Sequence, residues 1–264
     1  MPEYSIYALK YAGPFVRATP LMVWFKDRDQ MTTINYYIFV VQSEQETVVV
    51  DAGVRPEEAA RRGTQSGTPL GRAEGYVNPA TVLARLRIDA AEVRHVILTH
   101  LHWDHASGIS LFPKATFYVQ REEFRFWAKD PIAQRPPFRN VGDSTAEAEL
   151  RALEGTSRLA LLDGDTQILP GIEVWPAPGH TPAHQVVAVQ TAQGQAVLGS
   201  DVAHVYRNFR EDWPSALICD LPAWLRTYDM LRARLQSPDL FFPGHDAELS
   251  TRFPVVAEDI TRLV

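Results

Sequence analysis

The stretch T-H-L-H-W-D-H-A-S-G, residues 99–108, crowds four titratable side chains directly after the apolar run V-I-L. Its histidines are His100, His102 and His105, and its aspartate is Asp104. Such groups are costly to bury unless they are paired or bind a metal. His100 and His102 are two residues apart, so on an extended segment both point to one side. The stretch therefore predicts a metal site at a strand end, and its two ligand pairs indicate two ions.

Three residues farther along the chain occupy similar positions. His180 lies in P-A-P-G-H-T-P, Asp201 in V-L-G-S-D and His245 in L-F-F-P-G-H-D. Each follows an apolar run that reads as a strand, and loops fixed by a rigid sheet are where sites are usually built. We therefore expect these side chains to complete the site. Imidazole and carboxylate ligands without thiolate suit zinc, although iron, manganese and cobalt remain open.

The overall composition is that of an ordinary globular protein. The chain has 264 residues, of which 45% are apolar and 22% are charged. The net charge is −6 and no basic run stands out, so neither nucleic acid nor an anionic membrane is an expected partner. No run approaches the ~18 apolar residues of a membrane span, and the N-terminus lacks an export signal. These features predict a cytoplasmic protein.

The single cysteine limits the chemistry further. Cys219 has no partner within the chain for a disulfide, and a zinc site built from cysteines is excluded. A lone cysteine is most often a small buried hydrophobe, so Cys219 is expected to be buried.

Short runs rich in β-branched or aromatic residues alternate with helical patterns along the chain. Strands are predicted at 4–9, 34–41, 47–50, 95–99, 116–119, 172–175, 185–189, 196–199 and 240–242. Helices are predicted at 56–62, 79–86, 121–128, 145–153, 222–235 and 255–263. The proline-rich stretch 130–140 is predicted to be an irregular insertion loop. This order predicts an α/β protein, with sheets covered by helices, in one domain over 1–264.

The motifs resemble those of the metallo-β-lactamase superfamily. They are V-V-V-D-A-G with Asp51, T-H-L-H-W-D-H, P-G-H-T-P-A-H, G-S-D and P-G-H-D, in the family's order between about 48 and 246. The resemblance implies a four-layer αβ/βα sandwich with two divalent metal ions. It assigns His100, His102 and His180 to one ion, Asp104, His105 and His245 to the other, and Asp201 as the bridge. It also implies that Asp51 orients a ligand histidine and that His184 hydrogen-bonds near the site without binding metal.

The blocks around these motifs are most similar to those of bacterial N-acyl-homoserine lactonases, the enzymes of quorum quenching. This resemblance implies a hydrolase that opens a lactone by attack of a metal-bridged hydroxide, with Asp104 also exchanging a proton. A thioester, a phosphodiester or a sulfate ester remains an alternative substrate. A non-catalytic protein that keeps only the fold is less well supported, because no ligand position is lost.

One position departs from the lactonase pattern. Three residues after the bridging aspartate, those lactonases have a tyrosine that hydrogen-bonds the substrate carbonyl, and this chain has His204. His204 is a candidate catalytic residue that donates a similar hydrogen bond or binds a carboxylate; the alternative is a solvated loop residue. Tyr206 is a second candidate, because its phenol could supply the hydrogen bond that the tyrosine donates in those lactonases.

The pocket walls are less clear from the sequence. In similar lactonases an N-terminal loop lines the acyl-chain pocket, which makes Met22, Trp24 and Phe25 candidate substrate contacts, with core packing as the alternative. Phe138 and Arg135, in the 130–140 stretch, are candidates to cap the pocket or to form a homodimer contact.

Overall fold

A computed structural model describes residues 3–64 and 75–264. Within these ranges the strands are β1 (Ser5–Ala18), β2 (Met31–Gln42), β3 (Thr47–Val50), β4 (His95–Ile97), β5 (Thr116–Gln120), β6 (Leu159–Leu162), β7 (Thr166–Leu169), β8 (Ile172–Pro176), β9 (Gln185–Thr191), β10 (Gly194–Ser200), β11 (Phe241–Pro243), β12 (Val255–Ala257) and β13 (Ile260–Arg262). The α-helices are α1 (Thr19–Met22), α2 (Pro56–Thr64), α3 (Pro79–Arg85), α4 (Trp103–Ala106), α5 (Arg121–Lys129), α6 (Pro136–Arg139), α7 (Ser144–Leu153), α8 (Tyr206–Arg210) and α9 (Leu221–Arg234). Short 3-10 helices lie at Ala90–Glu92, Ile109–Leu111, Pro131–Gln134, Pro238–Leu240 and Ala247–Ser250.

The described strands form two sheets. The larger has the order β12-β13-β1-β2-β3-β4-β5-β6 and the smaller has the order β11-β10-β9-β8-β7. Strands β3 to β6 are parallel to one another, and β11 is parallel to β10. Because the carboxyl ends of parallel strands lie at the same edge of a sheet, the loops that leave them are brought together.

Both faces of each sheet are buried, which explains why the strand patterns are apolar beyond simple alternation. In β2, Tyr36, Ile38 and Val40 pack outward against the helices, and Tyr37 and Phe39 point towards the second sheet. The outer face of the larger sheet is covered by side chains of α3, α5 and α7. The outer face of the smaller sheet is covered by α9. These layers confirm the predicted αβ/βα sandwich.

The helix start at Asn78 follows the expected capping chemistry. The Asn78 side chain accepts a hydrogen bond from the backbone N–H of Ala80, with Pro79 as the first helical residue. The predicted helix 222–235 begins one residue earlier, after Asp220, whose side chain caps the N–H of Ala223.

The helix predicted at 255–263 is wrong, because this segment forms the hairpin of β12 and β13. Ile260 pairs with Leu9 of β1 and is fully buried, so the segment extends the larger sheet at its edge. Asp259 has a φ of 61°, in the left-handed region typical of a turn. The apolar spacing resembled that of a helix, but cross-strand burial decided the structure.

The stretch 130–140 is more regular than predicted. It contains the 3-10 helix Pro131–Gln134 and helix α6, each of which begins with a proline after an extended residue. Proline is compatible with the first turn of a helix, so the prolines start these helices instead of preventing them. That the chain is one domain with an insertion here stays a prediction.

Candidate metal centre

Strand ends bring all seven predicted ligands to one place. Asp51, His100 and His102 follow the parallel strands β3 and β4, and helix α4 carries Asp104 and His105. The residues that follow β8, β10 and β11 are His180, Asp201 and His245. All of these side chains are buried.

The seven residues fall into two groups, within each of which the candidate ligand atoms lie within 4.8 Å of one another. The members of one group are His100, His102, His180 and Asp201; those of the other are Asp104, His105 and His245. The histidines and Asp104 fall into the two sets that the family resemblance implies, and Asp201, expected as the bridge, groups with the first set.

The carboxylate of Asp201 lies between the two groups. Its Oδ2 is 3.3 Å from Nε2 of His180 and 3.9 Å from Nε2 of His100. Its Oδ1 is 3.4 Å from Nε2 of His105 and 3.0 Å from Nε2 of His245. Because each oxygen faces a different group, this side chain has the geometry of a bridging ligand.

Backbone carbonyls orient two of the imidazoles. Nδ1 of His180 lies 2.9 Å from the carbonyl oxygen of Leu217, and Nδ1 of His245 lies 2.9 Å from that of Asn35. A carbonyl oxygen only accepts, so Nδ1 carries the proton and the lone pair of Nε2 faces the other candidate ligands; Nε2 of His180 lies 3.0 Å from Nδ1 of His102. This is the tautomer that a metal ligand needs.

Asp51 orients a third imidazole, in the position predicted for it. Its Oδ2 lies 2.7 Å from Nδ1 of His105, and its Oδ1 accepts hydrogen bonds from the N–H and the hydroxyl of Thr99. Thr99 also contacts His100 and Ser200. A fully buried carboxylate therefore connects the end of β3 to both ligand-bearing segments after β4.

The residues present suit two divalent cations. Nε2 of His100, Nε2 of His105 and Oδ1 of Asp201 are buried and have no hydrogen-bond partner within the described residues. Buried polar atoms without partners are costly, and imidazole and carboxylate atoms that converge in this way are the donor set of zinc and related ions.

The two groups differ in their electrostatics. Burial lowers the pKa of His100 and of His102 well below the usual value, so both imidazoles are neutral. Burial also opposes protonation of His105, but nearby carboxylates, above all Asp201, raise its pKa well above the usual value. Burial raises the pKa of Asp201, yet His204 and other imidazoles hold it well below its usual range. The second group therefore favours positive charge, which a cation would supply in place of protons.

His204 lies at the site and is 3% exposed, so the alternative of a solvated loop residue is wrong. Its Nε2 is 3.3 Å from Oδ2 of Asp201. Burial lowers the pKa of His204 to about 3, although Asp201 opposes this shift. At neutral pH the imidazole is uncharged and can donate one hydrogen bond.

His184 was expected to hydrogen-bond near the site, and this prediction is wrong. It is fully buried, with its ring centroid 4.9 Å from that of His100, but neither ring nitrogen has a hydrogen-bond partner among the described residues. The side chain supports the metal group by packing.

Of the predicted substrate contacts, Met22 reaches the site, where it lines a small cavity with Asp104 and His204. Trp24 and Phe25 pack on each other at 5.2 Å and do not line it, and Phe25 is 65% exposed. The segment becomes exposed only after Val23, which is fully buried.

Tyr206 is also absent from the cavity walls. Its ring belongs to the core between the sheets and stacks against the guanidinium of Arg210 at 4.7 Å. The phenol of Tyr206 therefore lies away from the carboxylate of Asp201 and the cavity.

A larger cavity of about 230 Å³ opens beside the first group and shares His102, Val141 and Leu217 with the small one. Its walls are mostly apolar: Trp127, Pro137, Phe138, Val141, Pro182, Ala216, Leu217 and Ile218 line it, with His180, Thr181, Asn140 and Cys219. Phe138, a candidate for a pocket cap or a dimer contact, lines this cavity, and the sequence did not indicate the other apolar members. Cys219 is exposed, so the expectation of burial is wrong.

The four-layer sandwich, with histidine and aspartate side chains gathered at its strand ends, defines the class of proteins built on the metallo-β-lactamase fold. A family model described as the Metallo-beta-lactamase superfamily matches residues 32–245. The chain belongs to this superfamily.

Individual relatives show which members of the superfamily the chain is similar to. An N-acyl homoserine lactonase of Bacillus thuringiensis is 25% identical over 230 residues, which cover 83% of this chain and 84% of that protein. A structure of a B. thuringiensis AiiA mutant with N-decanoyl-L-homoserine bound at its active site has a TM-score of 0.79 at 21% identity and covers 97% of this chain and 98% of that one. AidC, a dizinc quorum-quenching lactonase, has a TM-score of 0.68 at 16% identity, over 94% and 89% of the two chains.

Proposed function

We propose that the chain is a metal-dependent hydrolase that opens a lactone ring with two divalent ions, zinc in the first instance. The observation that carries the proposal is the position of Asp201, whose two oxygens face the two histidine-rich groups. The ligand sets are those of the motifs: His100, His102 and His180 for one ion, Asp104, His105 and His245 for the other, with Asp201 between them.

Two such ions, when bound, lower the pKa of a water molecule and polarise the carbonyl that it attacks. The chain supplies the other functions. Asp104 lies at the rim of the small cavity, where its carboxylate can take up or return a proton. The neutral imidazole of His204, in the same wall, donates a hydrogen bond to the substrate carbonyl.

The larger cavity favours a neutral, partly apolar ester over a charged one. Apart from the imidazoles of His102 and His180, no titratable cation lines it among the described residues. A phosphodiester or a sulfate ester would gain from a lysine or arginine there. An acyl chain would instead be stabilised by burial against side chains such as Trp127, Phe138 and Leu217.

The relatives support the same substrate class. Those named above are N-acyl homoserine lactonases, and one structure holds N-decanoyl-L-homoserine at its active site. The dizinc AidC supports zinc as the metal. An N-acyl homoserine lactone or a related lactone is therefore the proposed substrate, and quorum quenching the proposed role. A cytoplasmic location and a homodimer remain predictions; within the described residues no helix could span a membrane.

A substrate panel tests this proposal. The zinc-loaded chain is assayed with N-acyl homoserine lactones of several chain lengths, simple γ-lactones, a thioester, an aryl phosphodiester and an aryl sulfate. We expect the highest kcat/KM on a lactone, rising with chain length as the apolar cavity fills. An undetectable lactone rate, beside turnover of another class, would overturn the assignment.

A further inference from the structure

A buried carboxylate that no motif pointed to lies beneath the first group of histidines. Glu123, on α5, is fully buried and forms no ion pair with any described residue. A buried carboxylate without a cationic partner is costly unless hydrogen bonds satisfy it. The positions of its hydrogen-bond donors show what it connects.

One oxygen of Glu123 holds the segment that carries the first two histidines. Oε1 accepts a hydrogen bond from the backbone N–H of Leu101 at 3.2 Å, and Leu101 lies between His100 and His102. The same oxygen accepts from the indole N–H of Trp127 at 2.8 Å. The Trp127 ring in turn packs edge-on against the imidazole of His102, with centroids 5.3 Å apart.

The other oxygen holds the segment that carries the third histidine. Oε2 accepts from the hydroxyl of Thr181 at 2.8 Å and from the backbone N–H of Ala183 at 3.0 Å. Thr181 directly follows His180, and Ala183 lies two residues farther along the same loop. One carboxylate thus joins two loops that leave different sheets of the sandwich.

We propose that Glu123 is a positioning residue that ties the loop of His100 and His102 to the loop of His180 and so sets the three-histidine group before a metal ion binds. The inference rests on the proposal that this group binds a divalent ion. All four partners donate, so only a carboxylate that accepts at both oxygens satisfies them. A glutamine there would place its NH₂ group against two donors.

Replacing Glu123 with glutamine tests the role by metal affinity instead of turnover. Apo protein is titrated with Zn²⁺ against a chromophoric chelator, which resolves the two dissociation constants. In Glu123→Gln we expect one of the two sites to weaken by about 10- to 100-fold, the range for partners that orient metal ligands. The other site should stay near its wild-type affinity.

The neighbouring Glu122 provides a matched control, since its carboxylate is exposed and pairs with Arg125. Glu122→Gln makes the same chemical change on the same helix and should leave both zinc affinities unchanged. The free energy of unfolding of each apo variant is measured in parallel, so that a loss of stability is not mistaken for a loss of metal affinity.

A second variant keeps the proposal testable if Glu123→Gln does not fold. Thr181→Val removes one donor at nearly constant shape and should weaken the same zinc site by a smaller factor. Wild-type affinity at both sites in every variant that folds would overturn the proposal, whatever happens to stability.

The zinc-affinity test of Glu123 and the test of the proposed function can fail independently. Weakened zinc binding in a chain that hydrolyses no lactone would leave the role of Glu123 intact and remove the lactonase assignment. A wild-type chain that binds no Zn²⁺ would overturn both.

Discussion

At the scale of single residues, the side chain that distinguishes this site from the lactonase pattern is His204. It stands where similar lactonases have a tyrosine, and its Nε2 is 3.3 Å from Oδ2 of Asp201. Tyr206, two residues later, turns into the core between the sheets and does not replace it. We therefore propose that the imidazole of His204, which lines the small cavity, contacts the substrate carbonyl.

Removing this donor should slow the reaction without removing the metals. In His204→Phe we expect kcat/KM on the best lactone to fall by about 100-fold, mostly in kcat, because a hydrogen bond to the developing oxyanion is lost. Zinc content should stay at the wild-type level. His204→Tyr keeps a donor and should recover part of the rate. Unchanged kinetics in His204→Phe would show that this side chain does not contact the carbonyl.

At the scale of elements, a short segment before α7 connects helix α4, which carries the candidate ligands Asp104 and His105, to the cavity wall. Arg62 donates to the carbonyl oxygens of Asn140 and Gly142, and its guanidinium stacks on the Trp103 ring at 4.5 Å. The N–H of Trp103 donates to the carbonyl of Val141, which lines both cavities. The wall and the helix are thus held as one unit.

Asp143 anchors this segment, and its loss should destabilise the fold. It accepts two hydrogen bonds from Arg55 and one from the Ser107 hydroxyl, and it caps α7 through the N–H of Thr145. Because Asp143→Asn weakens charge-assisted hydrogen bonds to a guanidinium whose other carboxylate partner, Glu58, is 3.9 Å away, we expect a loss of roughly 1.5–3 kcal/mol at pH 7. Urea unfolding measures it. Asp163→Asn, at an exposed carboxylate paired with Arg121, should change stability little.

The destabilisation caused by Asp143→Asn should also depend on pH. Burial raises the pKa of Asp143, but the hydrogen bonds from Arg55 and Ser107 outweigh it and hold the pKa below its usual value. A lowered pKa means that the stabilisation is present above the unfolded value of about 3.9 and is lost as the pH falls through the folded value. The difference between wild type and Asp143→Asn should therefore shrink below about pH 4; a constant difference would contradict this cause.

At the scale of the whole molecule, the sandwich brings together ligands that are far apart in the chain, and the sequence predicted them well. Each of His180, Asp201 and His245 follows an apolar strand, so its position at a sheet edge is a local property of the sequence. The cavity was less predictable. Leu217 and Ile218 come from a loop with no periodic pattern, and only the packing of distant segments places them beside the site.

The wrong helix at 255–263 and the missed role of Glu123 have the same cause, which is contact between segments distant in the chain. Whether 255–263 formed a helix or a hairpin depended on the free edge of β1, which no local pattern reveals. Glu123 resembled an ordinary polar residue of an amphipathic helix, since its four donors come from three separate segments. Chemistry carried by a motif could be predicted, whereas contacts between segments required the structure.

The measurement that tests the central claim most directly is lactone hydrolysis as a function of bound metal. The chain is stripped with a chelator, dialysed and titrated with Zn²⁺, and rate and metal content are measured on the same samples. We expect no hydrolysis in the stripped chain and a rate that reaches its maximum at two ions per chain. A maximum at one ion, or no lactone hydrolysis with two ions bound, would contradict the account.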